Sequence, residues 1–198
     1  FQLESSKPLD ENYIKNLIEK NNIQNTNIII LPFNTKDAFA FVLPRQNNIY
    51  LSSSSDKLIN TFLTRSKKYL KDIGYDDNEL KNINIDNKRI GSIIHEMGHL
   101  KVYKAIHINE INVIRERDEQ EYKLFYEYIE YIHESYEINN ISIYSILDEL
   151  LAEDYRQLVG GEQAQLPNRY LCDYDTIHSA KYKHKQGRLD LLRKTGVF

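Results

Sequence analysis

Apolar positions recur at helical spacing in several stretches and gather into short runs in three others. Leu9, Tyr13, Ile14, Leu17 and Ile18 mark one face of a first helix over residues 8–21. Pro8 suits its first turn, Ser6 or Lys7 precedes it, and Asp10 and Glu11 complement the helix dipole. The run from Ile28 to Leu31 predicts a core strand within 25–31, followed by strands over 38–43, closed by Pro44, and over 48–52. Serines 52–55 and Asp56 offer N-caps for a helix reaching about Ile73, with Leu58, Ile59, Phe62, Leu63, Tyr69 and Leu70 on its apolar side and Gly74 after it. A connector over 75–86 carries a short helix at 78–83. Asp86 or Asn87 then caps a helix whose Ile90, Ile93, Ile94, Met97 and Leu100 spread around its circumference, so it is expected to be mostly buried.

The second half reads as helices alone. Residues 107–137 are helical and acidic, with Tyr122, Phe125, Tyr126, Ile129 and Ile132 as an apolar stripe and the charges as a solvated face. Ser145 and Asp148 resemble a capping box for a helix that Gly160-Gly161 stops. Residues 173–196 form a last helix, docked by Tyr182, Leu189 and Leu192. This order predicts an α+β fold, with a small twisted sheet packed on the buried helix and a mainly helical C-terminal half. It is one domain over 1–198, with an N-terminal lobe to about 105 and a helical lobe from about 106.

Composition narrows the function classes. A net charge of -3 argues against general nucleic-acid binding, which needs a basic surface. No run of eighteen apolar residues is present, so no membrane span is expected. The lone Cys172 excludes an internal disulfide and is compatible with a reducing compartment. With 15 Tyr, no Trp and abundant Ile, Asn and Lys, the usage suggests an AT-rich bacterial genome. The chain begins with Phe1, which is compatible with a removed leader.

Chemistry concentrates in His95-Glu96-Met97-Gly98-His99. Residues four apart on a helix stack on one face, so both imidazoles can grip one zinc ion, leaving positions for a third ligand and a water. Glu96, beside the first ligand, can serve that water as general base. The alternative is a helix carrying two ordinary histidines. Gly98 costs about 1 kcal/mol relative to alanine inside a helix, a cost that a close neighbouring backbone would explain. His107 and His133 do not fit the spacing of a third histidine ligand and read as surface residues.

Glu149 and Glu153 also lie four apart and share a face, where like charges repel unless something positive sits beside them. A metal centre accounts for both, with Glu149 as the third zinc ligand and Glu153 accepting the N–H of a ligand histidine. A surface helix with acidic residues is the alternative.

His95-Glu96-x-x-His99 followed by Glu149-x-x-Ala152-Glu153 resembles the gluzincins, zinc metallopeptidases of the zincin type. The segment Glu149-Leu150-Leu151-Ala152-Glu153-Asp154-Tyr155-Arg156 is similar to the corresponding helix of the anthrax lethal factor and Pro-Pro endopeptidase group. That resemblance implies a zincin-like fold, a zinc-dependent endopeptidase activity on a protein substrate, and an oxyanion-stabilising tyrosine. Tyr144 is the nearest counterpart of that tyrosine, two residues closer to the glutamate than the group's pattern. It also implies a sheet edge that pairs with substrate, for which residues 48–52 are the candidate, with an interior strand as the alternative. Motif position and composition further resemble actin-cleaving bacterial effector metalloproteases, toxins that act in virulence. This implies a secreted or translocated protein, the host cytoplasm as destination and host actin as substrate. The basic stretch of Lys181, Lys183, His184, Lys185, Arg188, Arg193 and Lys194 would steer such an acidic partner, with a solvated C-terminal helix as the alternative. Two rivals stand beside this reading: a secreted peptidase of Pro-Pro endopeptidase type, and a non-catalytic module whose zinc is closed by a fourth ligand, for which Cys172 is the available thiol.

Overall fold

The computed structural model describes residues 3–4, 7–23, 27–35, 38–108, 120–137, 142–172 and 174–198. Phe1 and Ser6, named above, and residues 109–119 and 173 of the expected helices over 107–137 and 173–196 lie outside them. The described residues form an α+β fold, mostly helical, with six α-helices and a small mixed sheet.

Helix α1 (Glu11–Lys20) is capped by Asp10, whose carboxylate accepts from the Asn12 and Tyr13 amides, so the helix starts later than Pro8 suggested. Ile14 and Leu17 are its buried residues. Strands β1 (Leu3–Glu4) and β3 (Asn34–Thr35) pair antiparallel. The main sheet has the order β2 (Asn27–Ile30), β5 (Asn48–Leu51), β4 (Ala40–Val42), with β5 parallel to β2 and antiparallel to β4. The segment expected at the edge is therefore the central strand, and β4 is an edge.

Helix α2 (Asp56–Asp72) is capped by Ser55. The preceding serines do not cap. Ser52 and Ser54 hydrogen-bond to Asn34 Oδ1, and Ser53 donates to the Leu31 carbonyl, so these hydroxyls fasten the chain leaving β5 to β3 and the end of β2. Leu58, Phe62 and Tyr69 of the expected apolar side are exposed, while Ile59, Leu63 and Leu70 are buried. Gly74 ends the helix at φ +108°, in the left-handed region that glycine tolerates. The expected short helix at 78–83 consists of turns.

Helix α3 (Ile85–Ala105) is capped by Asn84, whose Oδ1 accepts from the Asn87 amide at 2.9 Å, in place of Asp86 or Asn87. Ile90, Ile93 and Ile94 pack with Ile14, Leu17, Ile49 and Leu51 into one core, and Arg89 ties Tyr13, Ser54 and Asp56 together at its start. His107 follows α3 at φ +54°, so α3 does not run on into the acidic stretch. The described part of that stretch is a 3-10 turn at Lys123–Phe125 and α4 (Tyr126–Ser135). Tyr122, Phe125, Ile129 and Ile132 of the expected stripe are buried, whereas Tyr126 is exposed and Tyr128 is buried in its place.

Helix α5 (Ile143–Val159) has no side-chain cap bond, so the Ser145–Asp148 box does not form. Together α4, α5 and the last helix α6 (Tyr182–Lys194) enclose a second core around Phe125, Ile129, Ile132, Leu147 and Leu151. α6 begins well after residue 173, and Leu189 and Leu192 dock it as expected. Arg188 is not on the basic surface: it is fully buried, with its guanidinium on Asp154 and Asp175.

Candidate metal centre

The site forms where α3 lies along α5. A Cβ at Gly98 would stand 2.9 Å from the Ala152 Cα, nearer than real Cβ contacts come, and a tight 3.0 Å from the Tyr155 Cβ. The absent side chain lets the two backbones approach, as the cost of a helical glycine suggested. One turn either way along this contact come the chemically loaded residues of both helices.

His95, His99 and Glu149 each offer a ligand atom, all within 4.8 Å of one another. His95 Nε2 lies 3.2 Å from Glu149 Oε2, and His99 Nε2 lies 3.4 Å from Oε1. Ligand atoms on a tetrahedral zinc with bonds near 2.1 Å are about 3.4 Å apart, so the spacing fits. Two imidazole nitrogens and a carboxylate oxygen are also a donor set that zinc accepts. Burial opposes ionisation of Glu149, but the contacts to His95 and His99 hold its carboxyl well below the usual range.

Around these three, Glu153 Oε1 lies 3.5 Å from His95 Nδ1, where it can orient that ring. Its other oxygen accepts from Arg156 at 2.5 Å, and Arg169 lies 3.0 Å from Glu149, so each carboxylate of the pair has a cation beside it. Tyr103 stacks on His99 at 5.8 Å between ring centroids. The Nδ1 of His99 is buried and has no hydrogen-bond partner among the described residues. Glu96 is buried beside the group, and burial pushes its carboxyl up to about 7 against the opposing pull of His99.

These residues line a cleft of about 890 Å³, walled on one side by Ala38–Val42 and so by the edge strand β4. Tyr144, in the first turn of α5, lines the same cleft. Cys172 does not join the group: it is buried among Ile59, Leu63 and Leu70, its Sγ 3.5 Å from the Tyr69 hydroxyl. His107 and His133 are exposed and belong to no ligand group among the described residues. Comparison with protein-family models, curated proteins and solved structures found no match to this chain. The chemistry of the site is read from its own atoms.

Sequence reasoning passed over Lys88, Tyr103, Arg156 and Arg169, which also line the cleft. Tyr103 is one helical turn after His99 and Lys88 two turns before His95, so the spacing carried a signal for both. Arg169 lies in an irregular segment and had none. A second grouping, Asp76, Glu79 and His178, is a surface turn whose two carboxylates accept backbone amides of Asp76, Asn78 and Glu79.

Proposed function

We propose that the chain is a zincin-like, zinc-dependent endopeptidase acting on a protein substrate. The observation that carries the reading is the convergence of His95, His99 and Glu149 from two helices at zinc-ligand spacing, beside buried Glu96. His95, His99 and Glu149 would hold the zinc, which when bound would supply a Lewis acid for the scissile carbonyl and lower the pKa of a water on it. Glu96 takes the water's proton and passes it to the leaving amine. Glu153, steadied by Arg156, orients the His95 ring, and the stack with Tyr103 steadies His99. Tyr144 stands in the cleft wall as donor to the developing oxyanion. β4, an edge strand among the described residues, offers its outer side to an extended substrate backbone, the role first given to residues 48–52. The rival with a closed structural zinc loses the thiol available to it as fourth ligand, because Cys172 packs elsewhere.

The test is zinc-loaded protein incubated with a cell lysate, with new N-termini identified. Wild type is expected to bind about one zinc per chain and to generate new termini. Glu96→Gln is expected to keep the zinc and lose roughly 100-fold or more of the cleavage. Equal cleavage by Glu96→Gln and wild type removes the catalytic assignment. Host actin is the first single substrate to try, on the strength of the narrower resemblance. Intact actin after long incubation removes that substrate and leaves the peptidase reading standing.

A further inference from the structure

The cleft runs on from the metal group toward the start of α3, where Lys88 lies seven residues before His95 on the same face. Its ammonium is 4.8 Å from the Phe62 ring centroid and 5.0 Å from that of Phe39. The two rings meet edge to face at 5.4 Å, and both line the cleft. Arg156 and Arg169, the other cations of the wall, are paired with Glu153 and Glu149. Lys88 makes no hydrogen bond or close ion pair with a carboxylate among the described residues, and Glu153 and Glu96 attract it only from farther off. Burial, with repulsion from Arg156 and Arg169 and against the pull of the Glu153 and Glu96 carboxylates, lowers its ammonium to about 8. Such an ammonium gains most from a ligand that brings the missing charge. The flanking rings favour a carboxylate on a short apolar stem, because they can pack on its methylenes. A phosphate would bring close to two charges against one.

The wall also fixes a direction. Phe39, just before β4, sits at Lys88, whereas Pro44, just after it, shares a surface hollow with Leu100 and Tyr103. β4 therefore runs the same way as α3. A peptide strand added antiparallel to β4, the slightly more stable pairing, runs the other way and carries its C-terminal part over Lys88. Seven helical residues span about 10 Å, or about three residues of extended chain.

We propose that Lys88, Phe39 and Phe62 form a specificity subsite that takes an Asp or Glu side chain of the substrate, about three residues C-terminal to the scissile bond. This rests on the endopeptidase reading. The probe is a library of tryptic peptides from a bacterial proteome, digested by the zinc-loaded protein, followed by kcat/KM for matched peptides with Glu or Gln at the enriched position. Wild type is expected to enrich acidic residues at the third position after the cleaved bond, give or take one, and to prefer Glu over Gln about tenfold. In Lys88→Met, checked for zinc content and circular dichroism, that ratio falls to about one. Lys88→Arg retains it, and Lys88→Glu turns the preference toward Lys and Arg. Library cleavage without acidic enrichment, or a ratio unchanged in Lys88→Met, overturns the subsite alone. No cleavage by zinc-loaded wild type overturns the endopeptidase reading and the subsite with it.

Discussion

At the scale of single residues, the zinc reading gives the two glutamates of α5 separable duties. Glu149 touches both histidines, whereas Glu153 reaches His95 Nδ1 and is itself held by Arg156. Glu149→Ala should lose most of the bound zinc, and Glu153→Ala should weaken zinc about 10–100-fold, as loss of an orienting partner does. Competition against a chelator of known affinity measures both, and equal affinities in the two variants would contradict this division. These residues were legible in the sequence because helical spacing translates directly into a shared face. His95 and His99, like Glu149 and Glu153, need only the local helix to be set side by side. That the two pairs meet was not legible from spacing, since it depends on how α3 crosses α5. Nor was Arg169, which reaches Glu149 from a segment without periodicity.

At the scale of elements, the approach of α3 to α5 depends on Gly98. Alanine there would gain about 1 kcal/mol of helix propensity. Against it stands a backbone atom, the Ala152 Cα, which cannot rotate away as a side-chain end can. Overpacking of this kind costs about 1–3 kcal/mol, so the loss is expected to win. Gly98→Ala should lower the thermal midpoint and weaken zinc as well, because parting the helices draws Glu149 from the histidines. A variant more stable than wild type, with zinc affinity intact, would show that the helices can part without cost. Helices α1, α2, α3 and α5 and strands β2, β4 and β5 were read from hydrophobic spacing to within a few residues, but the turns at 78–83, the late start of α6 and the helix caps were not. Ser52, Ser53 and Ser54 had the right chemistry to cap α2, yet Asn34 and the Leu31 carbonyl, distant in sequence, take their hydroxyls. Strand order was hidden for the same reason: pairing β5 with β2 across a parallel connection places β4 outside, and no local pattern records that.

At the scale of the whole molecule, Arg188 joins the helices of the second core. Its guanidinium bonds Asp154 of α5, Asp175 and the Tyr136 hydroxyl, and all its side chain is buried. The sequence displayed it among surface-like lysines, and only the tertiary fold shows that it faces inward. Arg188→Met would leave two buried carboxylates without their cation, which typically costs about 3–5 kcal/mol. Urea titration should show that loss, and Arg188→Met combined with Asp154→Asn and Asp175→Asn should recover part of it. A full-strength Arg188→Met protein would mean that water reaches these carboxylates. The two cores have a further consequence in time. His95 and His99 stand on the helix that anchors the first core, and Glu149 on the helix that anchors the second. Under the zinc reading, any breathing motion that separates the two cores must break a coordination bond. Amide hydrogen exchange along facing turns of α3 and α5 should therefore slow on zinc loading by up to the binding free energy, about 2.7 kcal/mol or a hundredfold when free zinc is 100 times its dissociation constant. Amides of α2, which carries no ligand, should exchange at nearly the same rate with and without the metal.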